Sequence, residues 1–262
     1  MIGRKITPGL KSSNKPFWKR MKHCWQLYVL ALPTIICALV FSYAPMYGAI
    51  IAFKDYKVNM GILGSPWAGL KYFNQFINLP NFKSLLENTL KISIYSLFWG
   101  FPAPILLALM LNQVRSKPFK RFVQTVTYAP YFISTVVLVS MLSIFLTPSS
   151  GFINKIIENF GGQAIAFMGV PKWFRTVYIA SGVWQGAGWG AIIYLAALGG
   201  VDPALYDAAM VDGASKMQRL IHIDFPCILP TIVIMFILNM GSLLNVGYEK
   251  AYLMQNSLNI PV

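Results

Sequence analysis

Five stretches of the chain, at about residues 27–53, 90–111, 122–146, 177–199 and 228–246, run for roughly 20 residues or more with almost no charge. A helix needs about that length to cross ~30 Å of hydrocarbon, and a helix satisfies its own backbone polar groups on the way. Composition agrees. Of 262 residues, 56% are hydrophobic and only 11% charged, against about 25% charged in soluble domains. So few charges cannot cover a surface that faces water, and disorder, collagen and coiled coil are excluded by the same figures. The expected fold is all-α: a multi-spanning helical membrane protein with five transmembrane helices in this chain.

Prolines mark where those helices should deform. Pro33 and Pro45 interrupt the first run, and Pro102 and Pro104 stand in the second, so both runs should be kinked or locally unwound. The first run is too long for the ~7–15-residue apolar core of a signal peptide, and no small-x-small cleavage site ends it. It is read as a permanent span.

Orientation follows from the loops. Arg4, Lys5, Lys11, Lys15, Lys19, Arg20 and Lys22 precede the first span with no acidic residue among them, and Arg115, Lys117, Lys120 and Arg121 join spans two and three. Both segments should be cytoplasmic. Alternating crossings then put loops 54–89 and 147–176 outside and loop 200–227 inside. Residues 1–24 form a basic cytoplasmic segment, and residues 25–262 one transmembrane domain. The net charge of +14 is thereby used in fixing orientation in a lipid bilayer, and no nucleic acid is expected as a partner. Cys24, Cys37 and Cys227 are an odd, scattered set that implies no disulfide framework. His23 and His222, near Cys24 and Cys227 in sequence, are read as structural, so neither a metal nor a cofactor is expected.

Three local patterns stand out. Phe152, Ile153, Ile156, Ile157 and Phe160 recur at helical spacing with Asn154, Lys155, Glu158 and Asn159 between them, as in a short amphipathic helix at the outer surface. Gly182, Gly186 and Gly190 recur every fourth residue in the fourth run, a stripe suited to close helix packing. The third pattern is the loop from Gly200 to Pro226. Asp202 is a good N-cap with Pro203 at the first helical position, and Gly213 suits the left-handed residue that ends a helix. Ser215 and Gln218 form a capping box for a second helix, which Pro226 should stop. Two short charged helices with an elbow, on the cytoplasmic side of an oily protein, suit docking to a soluble partner.

The residues of that loop carry a resemblance. Asp207-Ala208-Ala209, three residues, Gly213, nine residues, Ile223, one residue and Phe225-Pro226 resemble the EAA signature of binding-protein-dependent ABC importer permeases. There Glu-Ala-Ala, Gly and Ile-x-Leu-Pro stand at that spacing, so Asp207 replaces Glu and Phe225 replaces Leu. Pro45-Met46-Tyr47-Gly48, Ala52-Phe53-Lys54-Asp55-Tyr56, Gly61-Ile62-Leu63-Gly64-Ser65-Pro66-Trp67, Phe101-Pro102-Ala103-Pro104 and Leu244-Asn245-Val246-Gly247 are similar to the carbohydrate-uptake branch, polysaccharide and multiple-sugar. The resemblance implies a permease that performs no chemistry. Its partners would be a second permease, ABC ATPase subunits and an extracytoplasmic sugar-binding protein, with Asp207, Ala208, Ala209, Gly213, Ile223, Phe225 and Pro226 as the ATPase-coupling loop. Such permeases usually have six core spans, so a sixth is expected by resemblance but absent, and the end at Val262 is read as a truncation.

The sequence holds no GxxxxGK[ST] phosphate loop, HExxH or GxSxG, so ATP hydrolysis would lie on a separate subunit and no residue is catalytic. Two rival readings are an ion-coupled secondary carrier and a non-transporting membrane scaffold. The five apolar runs lack the carboxylates of a proton relay. Sugar sites use aromatic faces with a few amides and hydroxyls, which makes Tyr95, Trp99, Tyr128, Tyr131, Trp184, Gln185, Asn239 and Asn245 the possible substrate path.

Overall fold

The computed structural model describes residues 25–259, which fall into two compact units, one up to Phe82 and one from Lys83 on. The basic cluster of residues 1–24, with His23 and Cys24, lies outside the described residues. Within the described residues, three helices are long and apolar enough to cross a membrane, and up to five if each of two bent pairs is one span. No strand occurs among these residues beyond an isolated bridge between Lys54 and Trp67.

The first unit opens with α1 (Trp25–Phe53), continuously helical and free of charge. Pro33 is absorbed inside regular helix. Pro45 is not: a π-turn at Leu39–Tyr43 precedes it, with the Ala44 N–H reaching back to the Leu39 carbonyl, and a 3-10 stretch Tyr47–Phe53 follows. A proline withdraws an N–H from the ladder, and a wider turn re-routes the neighbouring bonds. Beyond α1 the chain folds into a small cap that includes α2 (Gly61–Gly64) and α3 (Lys71–Ile77). Phe53 stacks on Trp67 at 5.9 Å, and Lys54 Nζ donates to the carbonyls of Ile62 at 2.8 Å and Leu63 at 3.1 Å.

In the second unit, α4 (Phe82–Gly100) starts ahead of the apolar run that announced it. Its first turns are amphipathic and carry a Glu87–Lys91 ion pair one turn apart. Phe101 separates it from α5 (Pro102–Asn112), because Pro102 and Pro104 lack the N–H groups that would bond to the preceding turn.

The third apolar run is not the continuous span its composition suggested. Helix α6 (Lys117–Tyr128) passes into a 3-10 turn at Ala129–Phe132, and α7 (Thr135–Phe145) leaves at 103° to it. Pro130 loosens the ladder, Ile133 and Ser134 are extended, and the Ser134 side chain caps α7 by accepting from the Val137 N–H. Helix α8 (Phe152–Asn159) is the amphipathic segment seen in the sequence, but Asn154 is buried within it instead of facing water.

Helix α9 (Pro171–Gly199) is the longest α-helix among the described residues, and α10 (Pro203–Val211) turns from it by 73°. Next, α11 (Lys216–Gly241) corrects a second expectation. Pro226 does not stop the helix, because a π-turn at Leu220–Asp224 absorbs it, with the Phe225 N–H bonded to the Leu220 carbonyl. The fifth run therefore begins inside the loop, carries Asp224 with it, and ends at Gly241 before residue 246. The segment after the fifth run forms α12 (Tyr248–Met254), packed on α7 and α9.

Two cores organise this unit. One gathers Ile92, Val139, Val177, Tyr178 and Met254, and the other Ile105, Ala108, Ala191, Tyr194 and Ile228. Residues between them along α4–α5 and α9 line a polar cavity.

Candidate functional site: coupling loop and polar cavity

Local chemistry shapes the loop as the sequence indicated. Asp202 caps α10 by accepting from the Ala204 N–H at 2.9 Å, with Pro203 next. Gly213 sits at φ +75°, and the Ala214 N–H bonds to the Ala209 carbonyl at 2.9 Å, closing the helix in the manner of a Schellman turn. The capping box is complete: Ser215 Oγ accepts from the Gln218 N–H, and Gln218 Oε1 from the Ser215 N–H. Asp207 and Ala208 are exposed on α10, Ala209 and Ile223 half-buried, and Phe225 and Pro226 exposed at the end of the π-turn.

Behind this elbow lies a residue the motif passes over. Asp224 is fully buried and accepts three side-chain hydrogen bonds. Oδ1 receives Tyr206 Oη from α10 and Asn112 Nδ2 from α5 at 3.2 Å, and Oδ2 receives Gln113 Nε2 at 2.6 Å. Burial and the bond to Asp224 push the Tyr206 hydroxyl up to about 12, so it stays protonated and remains a donor.

The cavity has a volume of about 440 Å³, within the range of small-ligand sites. Gln185, Asn239 and Asn245 line it with Ser93, Ser96, Ser242, Tyr178 and Lys250. Ser93 Oγ is buried with no hydrogen-bond partner among the described residues. Among the described residues, Lys250 is the one charged residue in the lining. Its Nζ donates to the Tyr178 carbonyl at 2.8 Å and lies 4.7 Å from the centre of the Tyr178 ring. Burial lowers its pKa to about 8, and among the described residues the Glu87–Lys91 bridge is the sole ion pair.

The other path candidates separate from these. Tyr95, Trp99 and Trp184 line an apolar groove with Phe98 and Phe236. Tyr131 stacks on Trp189 at 4.6 Å, and Gln185 Nε2 also bonds to the Ile133 carbonyl at 2.8 Å, in the break of the third run. The glycine stripe divides too. A Cβ on Gly190 would touch Pro104 at 3.0 Å, one on Gly182 would lie 3.4 Å from Lys250 Nζ, and one on Gly186 would meet nothing within 4 Å. The closest approach falls on Gly188, outside the stripe, where a Cβ would stand 1.9 Å from the Thr127 carbonyl oxygen and 3.0 Å from the Tyr128 nitrogen.

Residues 100–256 match the family model of the binding-protein-dependent transport system inner membrane component. The chain belongs to that family. It is therefore a permease: a membrane-embedded, non-enzymatic component of an ABC import system. This permease is 48% identical over 233 residues to the polygalacturonan/rhamnogalacturonan transport system permease protein YteP of Bacillus subtilis (strain 168), covering 89% of this chain and 73% of that one. It is 45% identical to Protein LplB of the same organism over the same shares. Among solved structures it is similar to a bacterial ABC transporter involved in the import of the acidic polysaccharide alginate. There the TM-score is 0.83 and the identity 41%, over 94% of this chain and 82% of that one. It is similar as well to a bacterial alginate ABC transporter in complex with alginate pentasaccharide-bound periplasmic protein, at a TM-score of 0.83 and 40% identity over 94% of this chain and 81% of that one.

Three features of the permease escaped its sequence. Asp224 occupies the unspecified position between Ile223 and Phe225. Lys250 follows the last apolar run, where a charge reads as solvated tail. Gly188 breaks the four-residue rhythm of its neighbours, so spacing points away from the position of tightest contact.

Proposed function

We propose that this permease is the membrane subunit of an ATP-driven importer of acidic oligosaccharides or polysaccharide fragments across the cytoplasmic membrane. The observation that carries the reading is the cavity. Amides and hydroxyls from three elements suit sugar hydroxyls, and a single ammonium held by one carbonyl has donors left for a carboxylate. The relatives that handle polygalacturonan and alginate support that choice of substrate class. Residues 25–262 act as one transmembrane domain behind the basic cytoplasmic segment 1–24, with the N-terminus in the cytoplasm. A second permease completes the path, an extracytoplasmic binding protein delivers the sugar, and ATPase subunits receive Asp207, Ala208, Ala209 and the Gly213 elbow. In this orientation α4 brings its inner half, α9 its outer half and α11 its outer end to the cavity.

The test is uptake of an oligogalacturonide and of a neutral arabino-oligosaccharide by the reconstituted complex. Lys250→Met should reduce the acidic uptake about tenfold or more, the scale of one charge-assisted hydrogen bond, and leave the neutral substrate's handling unchanged. The ammonium must be protonated to hold a carboxylate, so wild-type uptake should fall as pH rises through about 8. In Lys250→Arg that fall should move to higher pH, since a guanidinium keeps its charge; Tyr178 is the other titratable residue lining the cavity. Equal loss of both sugars would remove the acidic preference. Uptake without ATP would favour the secondary carrier, and binding without uptake the scaffold.

A further inference from the structure

Asp224 joins three elements that the sequence keeps apart. It stands in the π-turn at the root of α11, Tyr206 comes from α10, and Asn112 and Gln113 end α5. A fully buried carboxylate is stabilised only where its lone pairs are filled. Here neutral side-chain donors fill them, with no cation among the three partners. Side-chain partners on separate elements can exchange geometry as those elements shift, which backbone ladders cannot. The position is also mechanically placed. The EAA face of α10 points away from the joint, with Asp207 and Ala208 exposed, while Tyr206 on the same helix turns inward. The far partners continue directly into α5, whose first turn at Pro104 lines the cavity.

We propose that Asp224 is the transmission joint of this permease, a positioning residue that makes α10, the end of α5 and the root of α11 move together. The inference rests on the importer reading and names the contact through which it operates. A π-turn immediately ahead of the Phe225-Pro226 pair gives α11 a place to flex. The joint then carries a displacement of α10 to both helices, and through them to Pro104 and Asn239 in the cavity wall.

The experiment uses the whole complex in proteoliposomes, with binding protein, ATP and an oligogalacturonide as probe. Three changes are compared: Asp224→Asn, Tyr206→Phe, and the pair Asn112→Ala with Gln113→Ala, which cuts α5 from the joint and leaves the Tyr206 bond in place. The readout is sugar moved per ATP hydrolysed, measured only on complexes that co-purify with their ATPase. A merely structural contact would lower the amount of complex and leave this ratio alone. The expected result is a ratio at least about fivefold lower in the α5 pair, with the ATPase still bound and still hydrolysing. Asp224→Glu should restore part of the ratio where Asp224→Asn does not. Should Asp224→Asn fail to assemble, Tyr206→Phe and the α5 pair carry the test. An unchanged ratio in those two variants overturns the proposal. A wild-type complex whose hydrolysis ignores every sugar would instead overturn the importer reading.

Discussion

Asn154 and Asp224 are both buried polar side chains that bind several segments together, yet their partners differ in kind. Asn154 is held by backbone alone. Its Nδ2 donates to the carbonyls of Leu146, Thr147 and Ile165, and its Oδ1 accepts from the Ile165 N–H at 2.8 Å. All of those groups lie within 11 residues of it. Asp224 bonds only side chains, two of them more than 110 residues away. Backbone partners have fixed directions, so the Asn154 end is a frame. Side-chain partners retain rotamers, so the Asp224 end is articulated. Polar burial therefore serves two purposes in one molecule, and the identity of the partners tells them apart.

That contrast predicts that changes in the frame should remove protein, and changes at the articulated end should remove coupling. The largest effect belongs to Gly188→Leu. Its Cβ alone would overlap the Thr127 carbonyl, and overpacking at backbone that cannot yield costs about 3 kcal/mol or more. The measured level of this variant in membranes should fall to near zero. Gly186→Leu, with open space around it, should insert normally and slow uptake by narrowing the cavity; equal expression of the two variants would erase the distinction between seam and cavity.

Asn154→Leu comes next. It strands the Ile165 N–H and the Leu146 carbonyl, whereas the Thr147 and Ile165 carbonyls keep the N–H groups of Gly151 and Phe167, at roughly 2–3 kcal/mol for the group. Limited proteolysis should open the 146–165 segment, while sugar moved per ATP stays constant in the surviving complexes. A change in that ratio would make the Asn154 end part of the motion.

Gly213→Val is the mildest. A β-branched residue held at φ +75° costs about 1–2 kcal/mol locally, and the bundle above it is untouched. The variant should accumulate at normal levels, yet show little ATPase stimulation by the loaded binding protein. Normal stimulation would mean that the elbow angle is not what the ATPase reads.

How much of this was legible depends on how far each signal reaches along the chain. The elbow could be read almost residue by residue, because Asp202, Pro203, Gly213, Ser215 and Gln218 act on backbone groups within one turn of themselves. The membrane class and family also followed, from run length and from the Asp207 to Pro226 pattern. Long-range geometry did not. The bend at residues 129–134 hides in an apolar run whose composition never changes, and only Pro130 and Ser134 hint at it. Pro226 read as a stop because nothing in the local pattern announces the π-turn at Leu220–Asp224 that accommodates it. Of the possible substrate path, Gln185, Asn239 and Asn245 share one cavity and Tyr95, Trp99 and Trp184 a separate groove, a division that residue type alone does not announce.

The loosened ladder at Phe101 gives α5 the dimensions of a lever. Its 11 residues span about 16 Å at 1.5 Å per residue, pivoting where Pro102 and Pro104 leave two carbonyls of α4 without their usual donors. A shift of about 3 Å at Asn112 would tilt so short an arm by roughly 10°. Beyond the pivot, Ile92 and Ser93 stay buried in the bundle. On the joint proposed above, a stroke at one end is converted into an angle at the other, and the length of α5 sets the ratio between them.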